Sequence, residues 1–123
     1  MLISLHLGSG ASAAAIQSGN PIDIAMGLTP LEGLPGATRS GSIDPSPLFR
    51  YTSDASSLAQ SSTKVLHVSV AEEILNEQTG WHSVVGTTDF WKFVQGTRDG
   101  DENMKLVFDS FVYRIVGYVG TIS

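Results

Sequence analysis

The first candidate for chemistry, by residue type and spacing, is the stretch "HLGSGAS" at 6–12, where two glycines flank Ser9. Such a bend leaves the backbone open, so its N–H groups can cradle phosphate oxygens. The same residues also suit an ordinary hairpin turn, and their spacing alone favours that turn. The stretch is neither a dinucleotide-binding loop, because Ala13 replaces the third glycine and a strand follows, nor a Walker loop, because no Lys-Ser/Thr pair follows. His6 is either a structural strand residue or a hydrogen-bond donor to a phosphate.

The second candidate is the loop "GATRSGSIDP" at 36–45, in which small residues surround Arg39. These neighbours neither shield nor pack its long stem. A guanidinium offers a planar fork to carboxylate or phosphate oxygens. The alternative is a structural arginine tied to Asp44 or to loop carbonyls, which the local sequence slightly favours. Asp44 itself is predicted to cap a helix rather than to bind a metal.

The remaining polar candidates are assigned no chemistry. His67 and His82 have no partners at metal-ligand spacing, so no metal site is predicted on them. Glu72, Glu73 and the acidic cluster at 99–102 fit helix termini rather than catalysis.

Composition limits the possible functions. The 123 residues carry a net charge of −5, and no two of the seven basic residues are adjacent, so nucleic acid is not an expected partner. The absence of cysteine excludes disulfides and thiolate metal sites. No signal peptide and no apolar run of the ~20 residues needed to span a bilayer is found, so no membrane partner and a cytoplasmic location are expected.

The elements that must position the two loops begin with three short strands at 2–7, 11–17 and 22–26. Tight turns between them predict an antiparallel three-strand meander. The first strand is apolar on both faces, which is typical of the centre of a sheet, although this chain offers it a neighbour on one side only. With the helices that follow, the predicted fold class is α/β.

Residues 27–47 are rich in glycine, proline, serine and threonine and are predicted to form a loop. Within it, "TPLEG" predicts one helical turn capped by Thr29, with Glu32 completing a capping box. A short helix is predicted to follow, with Asp44 as its cap and Pro45 as its first residue.

Two longer helices are predicted further on. The first begins at the cap Ser69, has Glu72 at the capping-box position and stops at Gly80. The last is indicated by acidic residues at 99–102, which favour a helix N-terminus, and by apolar residues at helical spacing. These are Met104, Val107, Phe108, Phe111, Ile115, Tyr118, Val119 and Ile122.

Taken together, the loops indicate a known family more specifically than any one of them does. Residues 5–45 closely resemble the acetate kinase family, whose members carry an HLGxG-S segment, then D-x-SMGxTPLEG, then TRSG-x-IDP, in this order and spacing. The later stretches "AEEILNEQTGW", "GTTDF" and "DENMKLVFDSFVYRI" also fit that family. The resemblance covers essentially the whole chain, and "GLPGATRSGSIDPS" and "GTTDF" resemble its fungal branch.

The resemblance implies an actin-like or sugar-kinase (ribonuclease H-like) ATPase domain that converts acetate and ATP into acetyl phosphate and ADP with magnesium. It implies that Arg39 stabilises the transferring phosphoryl group. It also implies an ATP-binding set, consisting of His6, Leu7, Gly8, Ser9 and Gly10 on the phosphate side and Asp89, Phe90 and Trp91 on the adenosine side. Phosphoryl transfer depends mainly on positioning and charge neutralisation, which suits these residue types.

The chain departs from the family pattern at three positions. Ser9 stands where the family usually has Asn, and keeps a hydroxyl. Ala37 replaces a glycine two residues before the arginine, which restricts the loop. Trp91 falls where many bacterial relatives have an arginine, which leaves the mode of nucleotide binding open.

The resemblance also implies a longer enzyme with two lobes, in which residues 1–123 are the first part of the C-terminal lobe. The acetate-side residues, the metal ligands and an adenosine loop are then expected outside this chain, and a homodimer is expected of the full enzyme. We therefore expect little or no activity from the chain alone. The alternatives are a non-catalytic module that binds nucleotide or self-associates, or an α/β segment without function.

Overall fold

The computed structural model describes residues 1–51, 57–63 and 68–122. His67 lies outside these residues. In the described part, three strands precede five helices, which confirms the α/β class. The strands are β1 (Leu2–Leu7), β2 (Ala11–Gln17) and β3 (Asn20–Ile24), and the helices are α1 (Ser46–Tyr51), α2 (Val70–Glu77), α3 (His82–Val85), α4 (Phe90–Arg98) and α5 (Glu102–Ile122).

The strands form the predicted antiparallel meander in the order β1-β2-β3. The third strand was predicted at 22–26, but it begins at Asn20 and ends at Ile24. Ser18 and Gly19 have φ angles of 51° and 82°, as the primed two-residue hairpin turns require, so Asn20 already pairs with Gln17. A register shift after Ala15 then displaces the remaining pairs.

One face of the sheet is made of small residues that let a helix lie close to it. Ala11, Ala13 and Ala15 of β2 are buried, and the first two pack against Phe111 and Ile115 of α5. This arrangement confirms the apolar face predicted for the last helix. Alanine at alternate positions of β2 therefore sets the distance between the sheet and α5.

β1 lies at the edge of the described sheet and pairs with β2 only. The apolar residues on its two faces stay largely accessible, since Leu2, Leu5 and Leu7 are 59%, 43% and 41% exposed. The single neighbour that the sequence analysis expected for this strand is thus β2.

An aromatic cluster joins α4 and α5 to the segment before α3. The ring of Trp81 stacks on Phe93 with centroids 4.7 Å apart, and Phe108 of α5 meets Phe93 edge-on at 5.7 Å. Phe90 contacts both Trp81 and Phe111, so the cluster continues into the core beneath the sheet. Helix packing here depends on rings in offset or edge-to-face contact.

The "TPLEG" segment forms a turn and not the predicted helical turn. The hydroxyl of Thr29 accepts a bond from the Leu31 amide at 3.3 Å, but the Glu32 carboxylate accepts from the Ser42 hydroxyl instead of closing a capping box. Glu32 therefore ties this turn to the loop that carries Arg39, and tertiary contact replaces the local cap.

The predicted capping is confirmed at the start of α2, whereas α1 begins one residue later than predicted. Ser69 and Glu72 form the reciprocal capping box at the start of α2. Asp44 accepts a bond from the Ser46 amide at 2.8 Å, and hydrogen bonds from Ser46 hold the pKa of Asp44 below its usual value. However, α1 begins at Ser46, so Pro45 precedes the helix.

None of the helices in the described part combines the length and the hydrophobicity that crossing a lipid bilayer requires.

Replacing Ser69 with alanine is expected to destabilise the fold by about 1 kcal/mol at neutral pH, because the N-cap bond to the Glu72 amide is lost. Hydrogen bonds from Ser69 hold the pKa of Glu72 below its usual value. A carboxyl with a lowered folded pKa stabilises the fold above its unfolded pKa, and this contribution is lost as pH falls through the folded pKa. The free energy of unfolding in urea should therefore differ less between Ser69→Ala and wild type in acid than at neutral pH. An equal difference at both pH values would contradict the coupling to Glu72.

Replacing Phe93 with alanine is expected to cost roughly 3–5 kcal/mol, the usual range for emptying a buried aromatic position. Phe93 is 0% exposed and touches both Trp81 and Phe108. The free energy of unfolding in denaturant measures the loss. Trp91→Ala on the same helix is the control, because Trp91 is 65% exposed and its removal leaves no cavity. Similar losses in both variants would show that the cluster does not hold α4.

Candidate functional site

Four segments that are distant in sequence converge on one cleft. They are the turn between β1 and β2, the loop that carries Arg39, the end of α2 and the residue before the cap of α4. The cleft has a volume of about 470 Å³ and is lined by Ser9, Gly10, Ala37, Thr38, Arg39, Asn76 and Thr88. Its lining side chains other than alanine are polar, and one is a cation.

The β1–β2 turn is held by bonds on both sides of Ser9. The Ser9 carbonyl accepts from the Ala37 amide at 2.7 Å, and the Ser9 hydroxyl donates to the Thr88 carbonyl at 2.8 Å. Within the turn, the Gly8 amide donates to the Gly10 carbonyl at 2.9 Å. The Gly8 amide was expected to face a ligand, but it is hydrogen-bonded within the turn.

Arg39 reaches across from its loop to the same turn. Its Nη2 donates to the carbonyl of Ala11, the first residue of β2, at 2.6 Å. Its Nε is buried with no hydrogen-bond partner within the described residues. Arg39 is thus anchored by a strand carbonyl rather than by Asp44, and it lines the cleft at the same time.

Gly36 makes this approach possible. A Cβ at Gly36 would lie 3.0 Å from the Ser9 carbonyl oxygen and 3.2 Å from Cγ of Arg39. A side chain there would require the Ser9 carbonyl or the arginine stem to shift by a few tenths of an ångström. The glycine therefore sets how closely the two loops meet.

The end of α2 and the residues after it fix the back of the Arg39 loop. The Thr38 hydroxyl donates to the Asn76 carbonyl at 2.9 Å, and the Thr38 carbonyl accepts from the Thr79 amide at 3.0 Å. The Ala37 carbonyl accepts from the His82 amide at 2.8 Å. Main-chain bonds on both sides of Arg39 hold the loop independently of any ligand.

Gly80 has a different role from the one its sequence context suggests. It was predicted to stop α2, but that helix ends at Glu77 and Gln78 is its C-cap. Gly80 has φ +76°, and a Cβ there would collide with the carbonyl oxygens of Gly36 and Ala37. It is needed because the backbone passes directly against the Arg39 loop.

Of the residues predicted for the site, the cleft brings together Ser9, Gly10 and Arg39. His6 does not line it. His6 pairs with Ser12 across the β1–β2 ladder, and alternation along β2 puts this pair on the sheet face opposite Ala11 and Ala13.

The segment predicted for the adenosine side starts α4 instead of lining the cleft. The Asp89 carboxylate caps α4 by accepting from the amides of Trp91 at 2.9 Å and Lys92 at 3.2 Å. The Phe90 ring packs in the aromatic cluster, and Trp91 is largely exposed. Only Thr88, directly before this segment, reaches the cleft.

Three residues of the lining were not predicted from the sequence: Thr38, Asn76 and Thr88. Thr38 adjoins Arg39 and was the one with a detectable signal. Asn76 lies within the helix predicted from Ser69, and Thr88 lies in a stretch to which the sequence pattern assigned no element. Their placement depends on how α2 and α4 dock.

A larger groove of about 630 Å³ lies elsewhere, between the 79–84 segment and α5. Its lining is mainly apolar, with Trp81, Val107 and Phe111 among its residues. It contains none of the candidate site residues, so size alone does not identify the site.

No three His, Asp or Glu side chains lie close enough to hold a metal ion in the described part of the chain. The cleft lining contains hydroxyls, an amide and a guanidinium but no carboxylate. These groups fit anionic phosphate oxygens better than they fit Mg²⁺, which prefers carboxylate and phosphate oxygens.

Comparisons with known proteins show which proteins this chain is similar to. The chain is 56% identical over 119 residues to a probable acetate kinase of Emericella nidulans, which covers 97% of the chain and 28% of that protein. It is 51% identical over 132 residues to a probable acetate kinase of Neurospora crassa, covering 98% and 28%. Among solved structures, a propionate kinase from Francisella tularensis matches with a TM-score of 0.77 and 38% identity, over 98% of this chain and 29% of that one.

The chain therefore spans about 28% of the length of these fungal relatives. The model of the acetokinase family matches residues 1–123, the whole of the chain. The chain belongs to the acetokinase family.

Proposed function

We propose that this chain provides the nucleotide-phosphate side of an acetate kinase, which transfers a phosphoryl group between ATP and acetate or another short carboxylate. The observation that carries the proposal is that the Arg39 guanidinium and the Ser9–Gly10 turn line one polar cleft. The names of the similar proteins support the reaction class.

The chemistry follows from what phosphoryl transfer needs. Negative charge spreads over the equatorial oxygens of the transferring group, and fixed donors that face this charge lower the barrier. Arg39 supplies a planar cation whose Nη2 is already held by the Ala11 carbonyl, so the fork is oriented before a nucleotide arrives. The amides of Ser9 and Gly10 serve as the phosphate cradle, because the Gly8 amide is used within the turn.

Magnesium supplies further charge neutralisation when it accompanies the nucleotide. In this cleft the chain's own part is to bind and orient the phosphate oxygens, since the lining has no carboxylate to hold the ion. We propose that the metal ligands and the acetate-side residues come from outside these 123 residues. The chain alone then gives little turnover, because the rate depends on mutual positioning of all parts of the site. A cytoplasmic location and an assembled homodimer are proposed for the complete enzyme.

Replacing Arg39 with glutamine is expected to weaken ADP binding by the chain roughly 10-fold to 100-fold, the usual effect of losing a charge-assisted hydrogen bond. Calorimetric titration with ADP measures the change. Arg98→Gln is the matched control, because it removes the same charge at the exposed end of α4, outside the cleft.

Equal weakening by both variants would mean that net charge, and not the cleft, governs binding. Unchanged affinity in Arg39→Gln would overturn the proposed role of this arginine. A coupled assay of acetyl phosphate formation gives the second readout: turnover by residues 1–123 at a rate typical of complete kinases would overturn the proposal that the chain alone is incompetent.

Self-association through β1 is a second candidate function. β1 pairs on one side only within the described residues, and it carries exposed leucines but no charged side chain. Edge strands that lack charges or prolines are templates for another strand. A second copy of β1 supplies a matching row of donors, acceptors and leucines.

Chromatography with light scattering over a range of concentrations is expected to show a dimer that Ser4→Lys converts to monomer, because a charge is then placed on the exposed edge strand. Gln17→Lys is the control, since it adds the same charge to an exposed position at the far end of β2. A monomer at every concentration in the wild type would contradict this candidate.

A further inference from the structure

We propose that Ser9 is a positioning residue whose side chain acts on the start of α4 and not on the phosphate itself. Its hydroxyl ties the phosphate turn to Thr88 and so fixes the distance between the turn and the 88–91 segment. The inference rests on the proposed nucleotide-binding function, and it concerns a position where the chain departs from the Asn usual in the family.

The first observation is that Ser9 bonds to two other segments of the cleft. Its carbonyl accepts from Ala37 at 2.7 Å, and its hydroxyl donates to the carbonyl of Thr88, a residue 79 positions away, at 2.8 Å. Ser9 and Thr88 both line the cleft. The hydroxyl bond therefore joins two parts of the cleft lining.

The second observation is that Thr88 is rigidly connected to α4. The next residue, Asp89, caps the helix through the amides of Trp91 and Lys92. Phe90 is fixed in the aromatic cluster by Phe93 and Phe111. A displacement of Thr88 would therefore move the beginning of α4, and the Ser9 hydroxyl bond holds Thr88 against the turn.

The donor capacity of the Ser9 side chain is limited. A hydroxyl has one proton to donate, and that of Ser9 is directed at a carbonyl. The same proton cannot also be given to a phosphate oxygen. Ser9 therefore meets a phosphate through its backbone amide, while its side chain holds Thr88 to the turn.

The test compares two ligands on the 123-residue chain: ADP, which reaches beyond the phosphate turn, and pyrophosphate, which does not. Ser9→Ala is expected to weaken ADP binding roughly 3-fold to 10-fold, the usual effect of one lost neutral hydrogen bond, and to leave pyrophosphate binding unchanged. Ser9→Thr keeps the hydroxyl and is expected to restore ADP affinity. Ser83→Ala is the matched control, because it removes a serine bond to the Gly80 carbonyl of 2.7 Å outside the cleft.

Each other outcome has a definite meaning. Equal weakening for both ligands in Ser9→Ala would show that the hydroxyl contacts the phosphate, and no change for either would show that the bond is irrelevant; both overturn the proposal. If the wild-type chain binds neither ligand, the proposed function fails, and amide hydrogen exchange still tests the contact. Ser9→Ala should then speed exchange at 88–92 but not in the middle of α5, and unchanged exchange at 88–92 would overturn it.

Discussion

A hydrogen bond of 2.7 Å from the Ala37 amide to the Ser9 carbonyl joins the two loops on which the site depends. It brings the turn after β1 against the loop after β3, so that Arg39 can bond to the first carbonyl of β2. The two loops are supported by different parts of the fold, the sheet on one side and α2 on the other. The cleft exists because this backbone contact holds them together.

Small residues allow that contact. Gly36 and Gly80 lie where a Cβ would press on or collide with neighbouring backbone, and Ala37 is buried between them. Alanines on the inner face of β2 let α5 lie close to the sheet. The site is therefore assembled by close main-chain approach, and the larger side chains act mainly in the aromatic cluster that holds α4 and α5 in place.

The local elements were predictable where local chemistry decides them. The strand 2–7, the capping box of Ser69 and Glu72, and the last helix follow from alternation, capping and helical spacing. Predictions were wrong where a distant partner competed with the local one. Glu32 bonds to Ser42 instead of capping its own turn, and Gly80 serves the approach of another loop rather than the end of α2.

The amino-acid sequence by itself determined the two loops that carry Ser9, Gly10 and Arg39, because a bend between glycines and a guanidinium among small residues are local properties. Only the tertiary structure decided that the loops share a cleft and that Asn76 and Thr88 complete it. It also decided that His6 lies on the other face of the sheet from the alanine core. The physical reason is that these placements depend on bonds between residues far apart in the chain, such as Ser9 to Thr88, and no local pattern encodes such partners.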